Sequence, residues 1–288
     1  MRARLGLSLA TAVAVAAIAG TAAPAGVPGA PHVLLIGDSV ATGMQWHTDA
    51  IAVLQKNLNV AWQVSVCRRL TGVSCTFQGD TPPNLVDLVG SLGTVPPIVV
   101  VEMGYNDYEN TFQASVEQSI QTLLRHGAQH ILWLTIRQTH HPYIHMNAIL
   151  AAEAKKHPQL SLVDWNMYAR SHPDWFQDDG EHLVDAGGVA MAALIHLAID
   201  KVAFPLTITG TPALGHVGNP YSAQLTATGG IPPYRWQLVG SPPRGLHLLA
   251  GGRLYGIPLK VQHVTVTVRV GDTEGQVASR RLVLSVRP

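Results

Sequence analysis

The sequence predicts an α/β chain built on a parallel sheet, followed by a small all-β sandwich. Three observations predict it. Apolar runs without polar alternation, such as Val33-Leu34-Leu35-Ile36, suit strands covered on both faces. Such runs alternate with helix-patterned segments up to about residue 200, the order that places helices on both faces of a parallel sheet. Beyond about Phe204 the helical pattern stops, and Pro, Gly, Thr and Val dominate short alternating segments.

The elements follow in order. VLLIG (33–37) is the first strand, and an apolar-patterned segment then runs to about Leu54. WQVSV (62–66) is the second strand and PPIVVVEMG (96–104), rich in β-branched residues, the third. Residues 113–124 set Val116, Ile120, Leu123 and Leu124 on one helical face, and Gly127 follows where a helix stop belongs. HILWLTI (130–136) is a strand, MNAILAAEAKKH (146–157) a helix, LSLVDW (160–165) a strand and AGGVAMAALIHLAID (186–200) the last helix. In the tail, YSAQLTATGG, YRWQLVG, GLHLLAGGRLYGIP and HVTVTVRVGD alternate apolar with polar residues between Gly-Gly, Pro-Pro and Gly-Asp turns. The boundary falls near 203–206, giving one domain over 31–203 and a second over 206–288.

Composition bounds the function. Of 288 residues, 47% are apolar and 13% charged, a folding composition. With a net charge of +1, nothing suggests an electrostatic grip on nucleic acid or an anionic membrane. Arg2 and Arg4 precede an apolar stretch from Leu5 to about Ala19 and then small residues. That is the layout of a secretory signal peptide over residues 1–25, with cleavage after Ala22, Ala23 or Ala25, so the chain is expected to be secreted or held at the cell envelope. Cys67 and Cys75, the only cysteines, are expected to form a disulfide in an exported chain, the alternative being two free thiols. A zinc site on them lacks histidines at ligand spacing.

Three segments carry chemistry. Ser39, in LLIGDSV, ends the first strand: it either caps a helix or acts as a nucleophile at the carboxyl edge of the sheet. GDSVA departs from the G-x-S-x-G elbow at Ala41 and sits too early in the chain for it. In DWFQDDGEHLVDAGG, Asp179 stands three residues before His182 across Gly180, a spacing that folds a carboxylate back onto the imidazole. Asp178 is a second candidate acid, Asp179 equally suits a turn, and His182 is one of 14 histidines. Asn106, in EMGYNDYEN after the third strand, offers a neutral amide donor suited to an oxyanion, or simply forms a turn.

Taken in order, Gly37-Asp38-Ser39, Gly104-Tyr105-Asn106-Asp107 and Asp179-Gly180-Glu181-His182-Leu183 resemble the blocks of the SGNH (GDSL-type) serine hydrolases, over roughly residues 32–200. The resemblance implies a flavodoxin-like αβα sandwich, with Ser39 as nucleophile, His182 as base and Asp179 as its partner. It implies an oxyanion hole from the Ser39 N–H, the Asn106 amide and a backbone N–H in the second block. The family has a glycine at that last place. Here SVCRRLTGVSC puts Cys67 or Arg68 there, and Arg68 is taken as the donor. No metal or organic cofactor is called for. The cluster His140, His141 and His145 has no carboxylate within it, and the segment 137–147 reads instead as a loop over the strand ends. Trp165, Trp175 and Tyr105 either line the cleft or pack in the core. The tail resembles the Ig-like, cadherin-like modules of bacterial surface proteins, which serve as spacers or bind glycans or proteins.

The resulting expectation is a secreted serine esterase acting on O-acyl, above all O-acetyl, esters of carbohydrate or cell-wall glycan, with a further glycan or protein contact through the tail. The alternatives are a lipase, thioesterase or acyltransferase for longer acyl chains, and a non-catalytic wall-binding or adhesion protein.

Overall fold

A computed structural model describes residues 29–288; the expected signal segment lies outside the described residues. Five strands, β1 (His32–Gly37), β2 (Asn59–Val64), β3 (Ile98–Glu102), β4 (His130–Leu134) and β5 (Leu160–Val163), form a parallel sheet of order β2-β1-β3-β4-β5. This is the doubly wound, flavodoxin-like order, whose switch point lies between β1 and β3. The continuous apolar runs have a simple cause: alternate residues feed two cores. Leu34, Ile36, Val99 and Val101 face one, under α3 (Leu85–Leu92), α4 (Glu109–Arg125) and α5 (His141–Lys156). Val33, Leu35, Ile98 and Val100 face the other, under α1 (Ser39–Gln45), α2 (Thr48–Leu54) and α7 (Asp185–Ala203). A short α6 (Trp165–Tyr168) and a 3₁₀ turn (Pro173–Trp175) lie between β5 and α7.

Three elements differ from the sequence reading. The second strand begins and ends earlier than expected, because Val66 belongs to a turn in which the Arg68 N–H donates to the Ser65 carbonyl. Helix α3 was not expected: Pro82-Pro83 before it and Gly90 and Gly93 within and after it read as loop, yet Asn84 caps it by accepting from the Asp87 N–H at 2.9 Å. Helix α5 starts at His141, with Pro142 in its first turn, so most of the expected loop 137–147 is helical. At its far end His157 bridges Glu117 of α4 (2.9 Å) and buried Glu153 (3.6 Å), whose other oxygen takes Lys156 at 2.7 Å. This ion network ties α4 to α5.

Helix α7 begins at the carboxyl edge of the sheet and runs back across it, burying Met191, Ala192, Ile195 and Ile199. Its 19 residues span about 28 Å at 1.5 Å per residue. The β-rich tail starts at its far end with β6 (Thr207–Ile208), β7 (Gly215–His216), β8 (Tyr221–Gln224), β9 (Ala227–Thr228), β10 (Arg235–Val239), β11 (Leu246–Leu248), β12 (Arg253–Gly256), β13 (Gln262–Gly271) and β14 (Val277–Arg287). The sheets β10-β13-β14-β7 and β11-β12-β8 bury Trp236, Val268, Leu284, Leu246 and Leu254 in the tail's core, and β6 pairs with β9. Hydrogen bonds from Gly230 N–H to the Phe204 carbonyl and from Leu206 N–H to the Gln276 side chain hold the tail against the end of α7.

Candidate active site

The loops after β1, β2 and β3 share one edge of the sheet, since Gly37 pairs with Val64 on one side and Glu102 on the other. Gly37 is required there: a Cβ would strike the Ala41 Cβ, because α1 turns back immediately over the strand. Asp38 caps α1 by accepting from the Val40 N–H at 3.1 Å, and Ser39 takes the first helical position. Its own N–H, as a first-turn donor, has no partner inside the helix.

His182 reaches this edge from the turn before α7. Its Nε2 lies 3.0 Å from Ser39 Oγ and its Nδ1 2.7 Å from Asp179 Oδ2. With Nδ1–H donated to the carboxylate, Nε2 accepts from the serine hydroxyl. The other Asp179 oxygen accepts from the Glu181 N–H (2.8 Å) and the His182 N–H (3.0 Å), so one carboxylate both shapes the turn and aims the ring. Desolvation pushes the Asp179 carboxyl up, but hydrogen bonds from the Glu181 and His182 N–H groups and the His182 ring outweigh it and hold it below the usual range. Asp178, the alternative acid, makes no such contact among the described residues.

A second segment clasps this turn. The Arg137 guanidinium donates to the Gly180 carbonyl and stacks 3.7 Å over the Phe176 ring. The Arg137 N–H in turn donates to the Tyr105 hydroxyl at 2.9 Å. Thr139 Oγ1 donates to Glu181 at 3.0 Å, and His140 Nε2 lies 3.2 Å from the same oxygen. Gly180 has φ +73°, the left-handed region that glycine enters freely.

Asn106 Nδ2 is buried without a hydrogen-bond partner among the described residues, a donor held in reserve. Its position is fixed from behind. Arg69 Nε donates to the Asn106 carbonyl (2.8 Å), and Asp107 accepts from the Leu70 N–H (3.1 Å). These bonds join the loop after β3 to the loop after β2. Burial pushes the Asp107 carboxyl up to about 7 despite the Leu70 N–H.

The second-block loop corrects the expectation for Arg68. Its N–H closes the turn onto Ser65 at 3.3 Å, and its side chain is buried with a bond to the Pro83 carbonyl. Among the described residues of this turn, the N–H groups of Val66 and Cys67 have no hydrogen-bond partner, and Cys67 occupies the place of the family's glycine. Cys67 has φ +72°, a conformation costing a non-glycine residue about 1–2 kcal/mol. The disulfide to Cys75 closes this loop, and the Cys75 N–H donates back to the Cys67 carbonyl at 3.3 Å. The Cys75 sulfur also lies 3.9 Å from Asn106 Oδ1.

Behind the serine lie two buried acids, Asp38 and Glu102. Glu102 accepts from the Ala41 N–H at 3.1 Å. Burial, then the Asp38 charge, pushes its carboxyl well above the usual range. Desolvation pushes Asp38 itself up to about 6, against the N–H groups of Val40, Gly104 and Tyr105 and the His182 charge. This pair and the Arg137 clasp escape sequence reasoning, which placed Cys67 or Arg68 at the second-block position. The one legible hint was a carboxylate ending the apolar strand IVVVE. The histidine cluster does not converge: His145 pairs with Glu109 at 2.9 Å while His140 meets Glu181. Trp165 is fully buried and stacks on Trp175 at 5.9 Å, and Tyr105 serves the clasp, so all three act in packing.

Residues 205–287 match the family model described as a putative Ig domain. The putative peptidoglycan O-acetyltransferase YrhL of Bacillus subtilis (strain 168) is 29% identical over 169 residues, covering 58% of this chain and 23% of that protein. The putative O-acetyltransferase SAS0844 of Staphylococcus aureus (strain MSSA476) is 30% identical over 103 residues, covering 36% of this chain and 16% of that protein. The chain thus spans less than a quarter of the length of these curated relatives. Among solved structures, Est24, a carbohydrate acetylesterase from Sinorhizobium meliloti, aligns at 15% identity over 60% of this chain and 98% of its own, with a TM-score of 0.43. The chain is thus similar to putative O-acetyltransferases and to a carbohydrate acetylesterase, and its residues 205–287 match a putative Ig domain.

Proposed function

We propose that this chain is an exported serine esterase that removes O-acetyl groups from carbohydrate or cell-wall glycan, with catalysis in residues 31–203 and residues 206–288 as a separate module that contacts the wall. The observation that carries this reading is the hydrogen-bonded series Ser39–His182–Asp179, with links of 3.0 and 2.7 Å. The names of the matched O-acetyltransferases and of the acetylesterase support the acetyl group and its glycan carrier.

Ser39 Oγ attacks the ester carbonyl while its proton passes to His182 Nε2. The carbonyl oxygen takes the charge and is held by the Ser39 N–H, the Asn106 Nδ2 and the Cys67 N–H. The C–O bond to the sugar breaks, and His182 returns the proton to the departing alkoxide. Water then loses a proton to His182, attacks the acyl-serine, and releases acetate and free Ser39. With an acceptor hydroxyl in place of water, the same residues carry out transfer. Asp179 keeps the imidazole oriented and stabilises it when charged.

The test is acetate release by the purified protein from an O-acetylated glycan and from a small activated acetyl ester. Ser39→Ala is expected to abolish both. Preference for octanoyl over acetyl esters would move the assignment to a lipase. Equal inertness of wild type and Ser39→Ala, with retained binding to wall glycan, would favour an adhesion protein.

A further inference from the structure

We propose that the cleft formed by Trp46, His47, Thr48, Asp49 and Asp185 is the subsite for the sugar on the alcohol side of the ester, and that it takes a neutral or amino sugar rather than a uronate. The proposal rests on the glycan-ester reading above and deepens it. The cleft has a volume of about 580 Å³. Trp46 is 68% exposed, an unusual state for an indole, which loses free energy in proportion to its wetted apolar area. The ring closes the end of α1, the helix that opens with Ser39, so it stands on a rigid element. A flat apolar ring with an N–H at its edge matches the C–H face and hydroxyl rim of a pyranose.

The surroundings are polar in the way a sugar requires. Thr48 offers a hydroxyl, Asp49 a carboxylate, and Asp185 a carboxylate whose Oδ1 meets His47 Nδ1 at 2.9 Å and whose side chain is 91% exposed. Position assigns the side of the ester. His182 must protonate the departing oxygen, so the alcohol lies next to its ring. Asp185 follows three residues later, at most about 10 Å along the chain. Charge assigns the sugar class: two carboxylates, offset by one histidine and no lysine or arginine of the cleft, repel a uronate and accept from neutral hydroxyls and amides.

Calorimetric titration of Ser39→Ala protein with chitotetraose and with tetragalacturonate tests this directly. Chitotetraose is expected to bind, tetragalacturonate at least tenfold more weakly. Adding Trp46→Ala is expected to weaken chitotetraose binding at least tenfold, and Trp46→Phe, which keeps a ring, to restore most of it. An unchanged melting temperature of the Trp46 variants separates lost stacking from lost fold. No chitotetraose binding, equal affinity with and without Trp46, or equal affinity for the uronate would each overturn the subsite. Failure of the wild type to release acetate from acetylated glycan would instead overturn the esterase reading, and the binding results would stand apart from it.

Discussion

The side chains of Ser39 and His182 meet at 3.0 Å although one opens α1 and the other precedes α7. Each arrives because a chain reversal delivers it to the same edge of the sheet. Asp179→Asn tests whether the contact is productive. The amide cannot accept from His182 Nδ1–H with the strength of a carboxylate and favours the wrong ring tautomer. A loss of about 10⁴ in kcat on an activated acetyl ester is expected, with Asp178→Asn close to wild type. A loss in Asp178→Asn with Asp179→Asn close to wild type would move the acid to Asp178.

Asn106→Ala removes a buried donor that has no other partner. The expected loss is about 10²–10³ in kcat with little change in KM, because the bond forms fully only to the developing oxyanion. A rise in KM with kcat intact would make Asn106 a substrate-binding residue instead.

Arg137→Ala unties the Asp179–His182 turn from the segment after β4 without removing any reacting group. A fall of about 10–100-fold in kcat is expected from misplacement alone. Arg137→Lys keeps the charge without the planar fork or the ring stacking and is expected to recover only part of it. The kcat–KM split over pH 5–9 is the readout, since a merely structural role would lower the melting temperature and spare kcat.

Asp107 makes a pH prediction. Its folded carboxyl titrates at about 7 against 3.8 for the ordinary group, so the folded state binds the proton more tightly. The stabilisation is present in full below pH 3.8 and is lost as pH rises to 7. Asp107→Asn keeps an acceptor for the Leu70 N–H and cannot titrate. Its melting temperature is expected to fall less than wild type across that window, by at least about 1 kcal/mol of stability, given that one pKa unit is about 1.4 kcal/mol. Parallel curves would remove Asp107 from the ionisation.

Much of the fold was legible because burial on two faces leaves a plain signature: VLLI and IVVV read as strands before any pairing is known. The Ser39, Asn106 and Asp179–His182 segments were legible because each joins reactive side chains to a glycine at a chain reversal. Helix α3 was not, since Pro83 and Gly90 speak for a loop and only tertiary packing of Leu85, Leu88 and Val89 overrides them. The partner of Glu102 was hidden because the acid that meets it sits on another strand end. The sequence left Cys67 and Arg68 as alternatives because it shows which residue occupies a position but not which peptide group its turn leaves unbonded.

Helix α7 has a wider consequence. A single helix starts three residues after His182 and ends where the Ig-like domain is attached through Phe204 and Leu206. On the proposed function, whatever the tail grips is set back from Ser39 and His182 by the length of this helix. On the function proposed above the tail acts like the handle of a tool, setting where along a surface the blade is presented, and soluble esters should be cut as well without it.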